Sequence, residues 1–288
     1  MKSITALLAF TSTVASTGVL LPLYIYPSTD YNDGALRWKP AFDAIEANPG
    51  VQWEVVINPH NGPGLTMNPG NDDVNYIFGT TKFNSYTNVK TIGYVRTNNG
   101  RSPADEVKTN ITAWKNWDTF TTSDISVKGI FFDEAIEASG ISDGSNFDYL
   151  SDLVTFARTT FSPKPVVTVC NFGAKPAEVY YGLCDVVVAF ESCLDHAANP
   201  AVCSNAPEYQ NQTTIDNNIP TVANRPKAAV IVHDFQGTGV TEAMLESYIH
   251  TLKVNNVGWA YFTSEGYENG ITAPPASVAN VASFVANA

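Results

Sequence analysis

GIFFDEAIEA, residues 129–138, is an apolar run of strand type that stops at two adjacent carboxylates, Asp133 and Glu134. An unpaired charge at the end of a buried strand is costly. At the C-terminal end of a parallel strand, however, acids stand where α/β folds place their chemistry. The remainder of the chain reads as a scaffold that presents this point.

Seven further runs have the same character. Together the eight are Val19–Ile25, Trp53–Pro59, Lys90–Arg96, Gly129–Glu134, Pro165–Asn171, Val186–Ser192, Ala228–Asp234 and Gly258–Thr263. Most are rich in Val, Ile, Phe and Tyr and almost continuously apolar, as strands covered on both faces are. Their ends lie on average about 34 residues apart, the size of one βα unit. Helical patterns lie between them at 35–48, 103–117, 147–161, 241–254 and 276–285, with weaker ones at 72–88 and 176–183. Ser102-Pro103 reads as an N-cap followed by proline at the first helical position. Eight alternations predict an α/β fold, a single-domain (β/α)8 TIM barrel over residues 17–288. A doubly wound sheet would want a glycine-rich loop after the first strand, and Tyr24-Ile25-Tyr26-Pro27 stands there instead. The stretch 193–227 reads as an extended loop on the catalytic face.

The 288 residues carry 44% hydrophobic and 15% charged side chains, which suits a well-cored globular protein. The net charge of −12 argues against nucleic acid and anionic membrane surfaces as partners. It suits a neutral or cationic ligand, and it also keeps an exported protein soluble. Residues 1–16 have the plan of a secretory signal: Lys2, an apolar Ile4–Phe10, and small residues at Val14-Ala15-Ser16. The apolar run is too short to span a membrane. The expected location is extracellular or cell wall, as a monomer. Cys193 and Cys203, in a polar loop, suggest a local disulfide. Cys170 and Cys184 form a second bridge or remain two buried thiols. Asn110-Ile-Thr112 and Asn211-Gln-Thr213 are N-glycosylation sequons.

In a barrel the C-terminal strand ends converge on one mouth. Reading them off gives Tyr24 and Tyr26, then Asn58, His60 and Asn61, Tyr94 with Arg96, Asp133 with Glu134, Asn171, Glu191, His233 with Asp234, and Tyr261. The set is aromatic, amide and acidic. Rings stack on sugars, amides and carboxylates bind hydroxyls, and glycoside hydrolysis needs one carboxylic acid and one carboxylate. Asp133, Glu134 and Glu191 are the catalytic candidates. Tyr24, Tyr26, Asn58, His60, Asn61, Tyr94, Asn171, His233 and Tyr261 are the substrate-binding candidates. Plainer readings stand beside these. A lone strand-end Asp is usually a turn former, and most histidines bind backbone or carboxylate. A metal site from Asp133, Glu134 and His233 has no supporting ligand spacing, and no cofactor is called for. His233-Asp234 resembles a hydrolase dyad but lacks a GxSxG elbow.

Five of these stretches also carry a family resemblance. PLYIYP at 22–27, INPHNGPG at 57–64, GYVRT at 93–97, FFDE at 131–134 and FES at 190–192 together resemble the spherulin 4-like family. The likeness implies a (β/α)8 glycoside hydrolase acting on galactosaminogalactan, with endo-α-1,4-N-acetylgalactosaminidase activity and a polysaccharide substrate. It places the family's Asp-Glu pair on Asp133 and Glu134 and its later Glu on Glu191. We assign Asp133 as nucleophile or oxocarbenium stabiliser and Glu191 as general acid/base, and a swap between Glu134 and Glu191 is also compatible with the sequence. Glu134 then holds a substrate hydroxyl or tunes Asp133. A non-catalytic glycan-binding wall or matrix protein is the competing class.

Overall fold

The structure is a computed structural model that describes residues 16–135, 146–193, 207–235, 240–264, 275 and 277–287. Eight strands are present: β1 Gly18–Leu23, β2 Trp53–Ile57, β3 Val89–Arg96, β4 Gly129–Asp133, β5 Val167–Asn171, β6 Val186–Cys193, β7 Ala228–His233 and β8 Trp259–Phe262. They close in sequence order into a barrel, with β8 pairing back onto β1. Every neighbouring pair is parallel. Burial on both faces explains the continuous apolar runs: β1 and β2 are buried at every position.

The helices are α1 Lys39–Ala47, α2 Val74–Asn84, α3 Ala104–Asn116, α4 Phe147–Phe161, α5 Tyr180–Leu183, α6 Gln212–Asn218, α7 Glu242–Val254 and α8 Val278–Asn287. Helix α4 has the limits its apolar spacing predicts. The expected start of α3 shifts by one residue, because Pro103 has extended backbone geometry and is itself the cap position. Asp105 and Glu106 in its first turn and Lys115 in its last complement the helix dipole. Thr241 caps α7 by accepting the N–H of Met244. The pattern at 176–183 yields only the single turn of α5. Conversely, α6 and a 3-10 segment, Val222–Lys227, lie in the stretch expected to be loop. Helix α6 buries only Thr214 and Ile215, so it has no apolar stripe to announce it.

Four tryptophans, Trp38, Trp53, Trp114 and Trp117, are buried in the layer that joins helices to barrel. Gly93 in β3 admits one of them. A Cβ there would meet the Trp114 ring at 2.5 Å. The Trp114 indole N–H donates to the carbonyl of Tyr94 at 2.7 Å, so this contact helps fix the end of β3.

Cys170 and Cys184 form a disulfide, tying β5 to the approach to β6. Cys193 is also disulfide-bonded; its expected partner, Cys203, lies outside the described residues, as does most of the expected leader. Among the described residues no helix is long and apolar enough to cross a membrane. The sequon residues Asn110, in α3, and Asn211, before α6, are both half-buried.

Candidate active site

The barrel mouth opens into a cavity of about 570 Å³. Its lining includes Tyr24, Asn58, Asn61, Tyr94, Asn99, Asp133, Glu134, Asn171, Phe172, Gly173, Glu191 and His233. All three expected catalytic carboxylates are therefore in one cleft. Of the nine expected binding residues, six are with them. Tyr26, His60 and Tyr261 are not in this lining. His60 is exposed, Tyr261 is buried to 2%, and the Tyr26 hydroxyl donates to Asp73 at 2.9 Å.

Adjacent residues on a strand face opposite ways, so Asp133 and Glu134 need a device to share a cleft. Glu134 supplies it by leaving the strand with φ of 51°, in the left-handed region. The β3–α3 loop holds that turn: the Thr97 hydroxyl donates to the carbonyls of Asp133 and Glu134 at 2.9 and 2.7 Å, and the Asn99 N–H donates to Glu134 O at 2.8 Å. The Glu134 carboxylate accepts from Arg96 Nε at 2.9 Å. Asp234 makes the same left-handed exit from β7. Its carboxylate, 2.7 Å from His233 Nδ1, orients the imidazole at the cleft wall.

Glu191 is aimed differently. Between β6 and β7 the register runs from Val188↔Ala229 to Phe190↔Val230, leaving Ala189 as an extra residue. A bulge of this kind re-aims the side chains that follow it.

The centre of the cleft is a hydrogen-bonded chain. Tyr94 donates its hydroxyl to Asp133 Oδ2 at 2.6 Å. Asn171 Nδ2 donates to Asp133 Oδ1 at 2.8 Å and to Glu191 Oε2 at 2.6 Å. The Asn171 amide cannot flip without cost, because its Oδ1 accepts the N–H of Gly173 at 3.1 Å. Beneath, Phe131 stacks on Tyr94 with centroids 6.1 Å apart, and Tyr24 meets Tyr94 edge-on at 5.5 Å.

Burial pushes the Asp133 carboxyl up, while the donors Tyr94 and Asn171 pull it back. Burial, with the charge of Asp133 beside it, pushes Glu191 up to about 7. Both oxygens of Asp133 accept hydrogen bonds, whereas only Oε2 of Glu191 is engaged by a described residue. These hydrogen bonds favour the negative charge on Asp133 over Glu191. The two oxygens on Asn171 Nδ2 lie within about 5.4 Å of each other, since the bonds that join them to it are 2.8 and 2.6 Å.

Among the described residues, Cys193, His233 and Asp234 bring ligand-type atoms within 4.8 Å of one another. Cys193 is disulfide-bonded and has no thiolate to offer a metal. Asn99, in the loop after β3, and the pairing of Arg96 with Glu134 were not among the expected contacts.

The sequence profile of the spherulation-specific family 4 matches residues 18–285. The chain belongs to this family. No curated protein sequence matches it. Among solved structures, this spherulation-specific family 4 protein is similar to Aspergillus clavatus Sph3, crystallised in complex with GalNAc. The TM-score is 0.74 at 24% identity, over 94% of this chain and 98% of that one. It shares the barrel with a broad-specificity GH5-4 endoglucanase from Clostridium acetobutylicum, at TM-score 0.52 and 10% identity, covering 95% and 97%. The glycoside hydrolase domain of PgaB from Bordetella bronchiseptica aligns at TM-score 0.52 and 9% identity, covering 85% and 93%. At these identities the likenesses establish the fold.

Proposed function

We propose that this family member is a secreted, monomeric glycoside hydrolase that cleaves an amino-sugar polysaccharide, acting as an endo-α-1,4-N-acetylgalactosaminidase on galactosaminogalactan. The observation that carries the reading is the shared Asn171 amide, which holds Asp133 and Glu191 together at the floor of an open cleft. Glycoside hydrolysis needs two carboxyl groups facing one bond. The GalNAc bound to A. clavatus Sph3 supports the amino sugar. The disulfides and the leader-like N-terminus support export.

In this reading Glu191, protonated, gives its proton to the glycosidic oxygen. Asp133, ionised and held by Tyr94 and Asn171, attacks the anomeric carbon, and the leaving chain departs as an alcohol. Glu191, now a carboxylate, takes a proton from the water that opens the glycosyl ester on Asp133. A carboxyl spacing of about 5–5.5 Å suits this two-step, retaining course, and an inverting one needs about 6.5–9.5 Å. Glu134, paired with Arg96, receives a substrate hydroxyl, and its charge raises the proton affinity of Asp133. The chemistry requires no cofactor.

The test is release of reducing ends from galactosaminogalactan by the wild-type protein and by a folded Asp133→Asn variant. Release by the first and its loss in the second is the expected result. No release, with polysaccharide binding intact in both, would sink the hydrolase reading for this substrate, and the same result on other amino-sugar polymers would favour a glycan-binding protein.

A further inference from the structure

Two tyrosines beyond the cleft are exposed in a way that the site described above does not use. Tyr31 is 80% exposed and Tyr26 38%. Both lie on the segment that follows β1, the strand whose end delivers Tyr24 to the cleft. Tyr26 lies two residues beyond Tyr24, and Asn75 bridges its hydroxyl to the N–H of Asn32, the neighbour of Tyr31, so the two exposed tyrosines stand close to each other on the segment that leaves the cleft wall.

The segment is also fixed in place. The Tyr26 hydroxyl donates to Asp73 at 2.9 Å and accepts from Asn75 Nδ2 at 2.7 Å, and its ring meets Tyr76 edge-on at 5.5 Å. Asn75, 1% exposed, also accepts the N–H of Asn32 at 2.8 Å. Asp33 accepts the N–H groups of Thr29, Asp30 and Leu36. Tyr31 is thus bracketed by anchored residues. Ordering an aromatic residue in water brings no folding gain, but a ring already in place binds a partner with less entropy to lose. In residues 26–37 and 65–78 the acids Asp30, Asp33, Asp72 and Asp73 face only Arg37 as a base, which disfavours an anionic partner.

We propose that Tyr26 and Tyr31 form an outer sugar-binding platform. It takes further residues of the neutral or cationic polysaccharide whose target bond lies in the cleft. This inference rests on reading the cleft as a glycan site. It means that the protein recognises a chain, not one sugar.

The test measures binding in a Glu191→Gln background, which holds substrate without turnover. Retention in a native gel containing galactosaminogalactan is compared with affinity for GalNAc by calorimetry, with and without Tyr31→Ala. Loss of one stacked ring should weaken polymer retention about three- to tenfold, while GalNAc affinity moves less than twofold. Equal polymer retention with and without Tyr31, an equal loss for both ligands, or retention by a polyanionic glycan as strong as by galactosaminogalactan would overturn it. Failure of the hydrolase reading is distinguishable: wild-type protein would release no reducing ends, yet its retention would still depend on Tyr31.

Discussion

The hydroxyl of Tyr94 donates to Oδ2 of Asp133 at 2.6 Å, joining the ends of β3 and β4 inside the cleft. A hydrogen bond to a charged acceptor is worth about 1.5–3 kcal/mol. Tyr94→Phe should therefore cut kcat/KM about 10- to 100-fold. It should also raise the Asp133 pKa, because the ionised form loses a donor. The acid limb of the pH profile then moves to higher pH, and a limb that stays put would remove Tyr94 from the mechanism.

Glu191 must carry a proton to act as the acid, and its carboxyl is pushed up to about 7. Activity should decline as pH rises through that value. Glu191→Gln should abolish this limb. It should also spare substrates with an activated aryl leaving group, which need no proton, far more than the polysaccharide. Equal losses on both substrate types would assign the acid elsewhere.

Because Asp133 and Glu191 share one amide NH2, the first product formed should keep the anomeric configuration of the bond cut. Proton NMR of freshly released ends, before mutarotation, reads this directly. Initial inversion would exclude Asp133 as nucleophile.

Glu54 in β2 is 1% exposed, and its Oε2 has no partner. Burial raises its carboxyl to about 8 from an ordinary value of 4.5. The native state thus keeps a proton that the unfolded chain releases. The stabilisation from that proton is complete below pH 4.5 and is lost as pH rises through about 8, an effect of up to a few kcal/mol. Glu54→Gln should remove this slope from a Tm-against-pH series and raise Tm most at alkaline pH. Parallel curves for the two proteins would show that Glu54 does not titrate in this way.

Gly93→Ala forces a Cβ to within 2.5 Å of the Trp114 ring. Overpacking of this kind costs about 1–3 kcal/mol, read as a lower denaturation midpoint. Displacing the indole also loosens its bond to the Tyr94 carbonyl, so kcat should fall with stability. A stable variant with full activity would show that β3 absorbs the methyl group freely.

The strands and the acids at their ends were legible in the sequence because both are local facts. A strand buried on both faces must be apolar throughout, and β4 shows this until it reaches Asp133. Eight such runs alternating with helical patterns favour a barrel, and a barrel brings its strand ends together. That is enough to nominate Asp133, Glu134, Glu191, Asn171 and Tyr94 as neighbours. The same reasoning placed Tyr26, His60 and Tyr261 with them, and these three do not line the cleft, since proximity to a strand end does not say which way a side chain turns.

What each residue meets was decided only by the tertiary structure. The left-handed turn at Glu134 and the extra residue Ala189 in β6 set side-chain parity, and neither has a composition that betrays it. The pairing of Asp133 with Glu191 through Asn171 joins residues 20 and 38 positions apart, across β4, β5 and β6. Closing the barrel sets them half-buried side by side at the cleft floor, and that partial desolvation, with the charge of Asp133, raises the proton affinity of Glu191. The sequence determined which carboxyl groups reach the mouth; desolvation and one bridging amide, which exist only once the barrel closes, set how strongly each of them holds a proton.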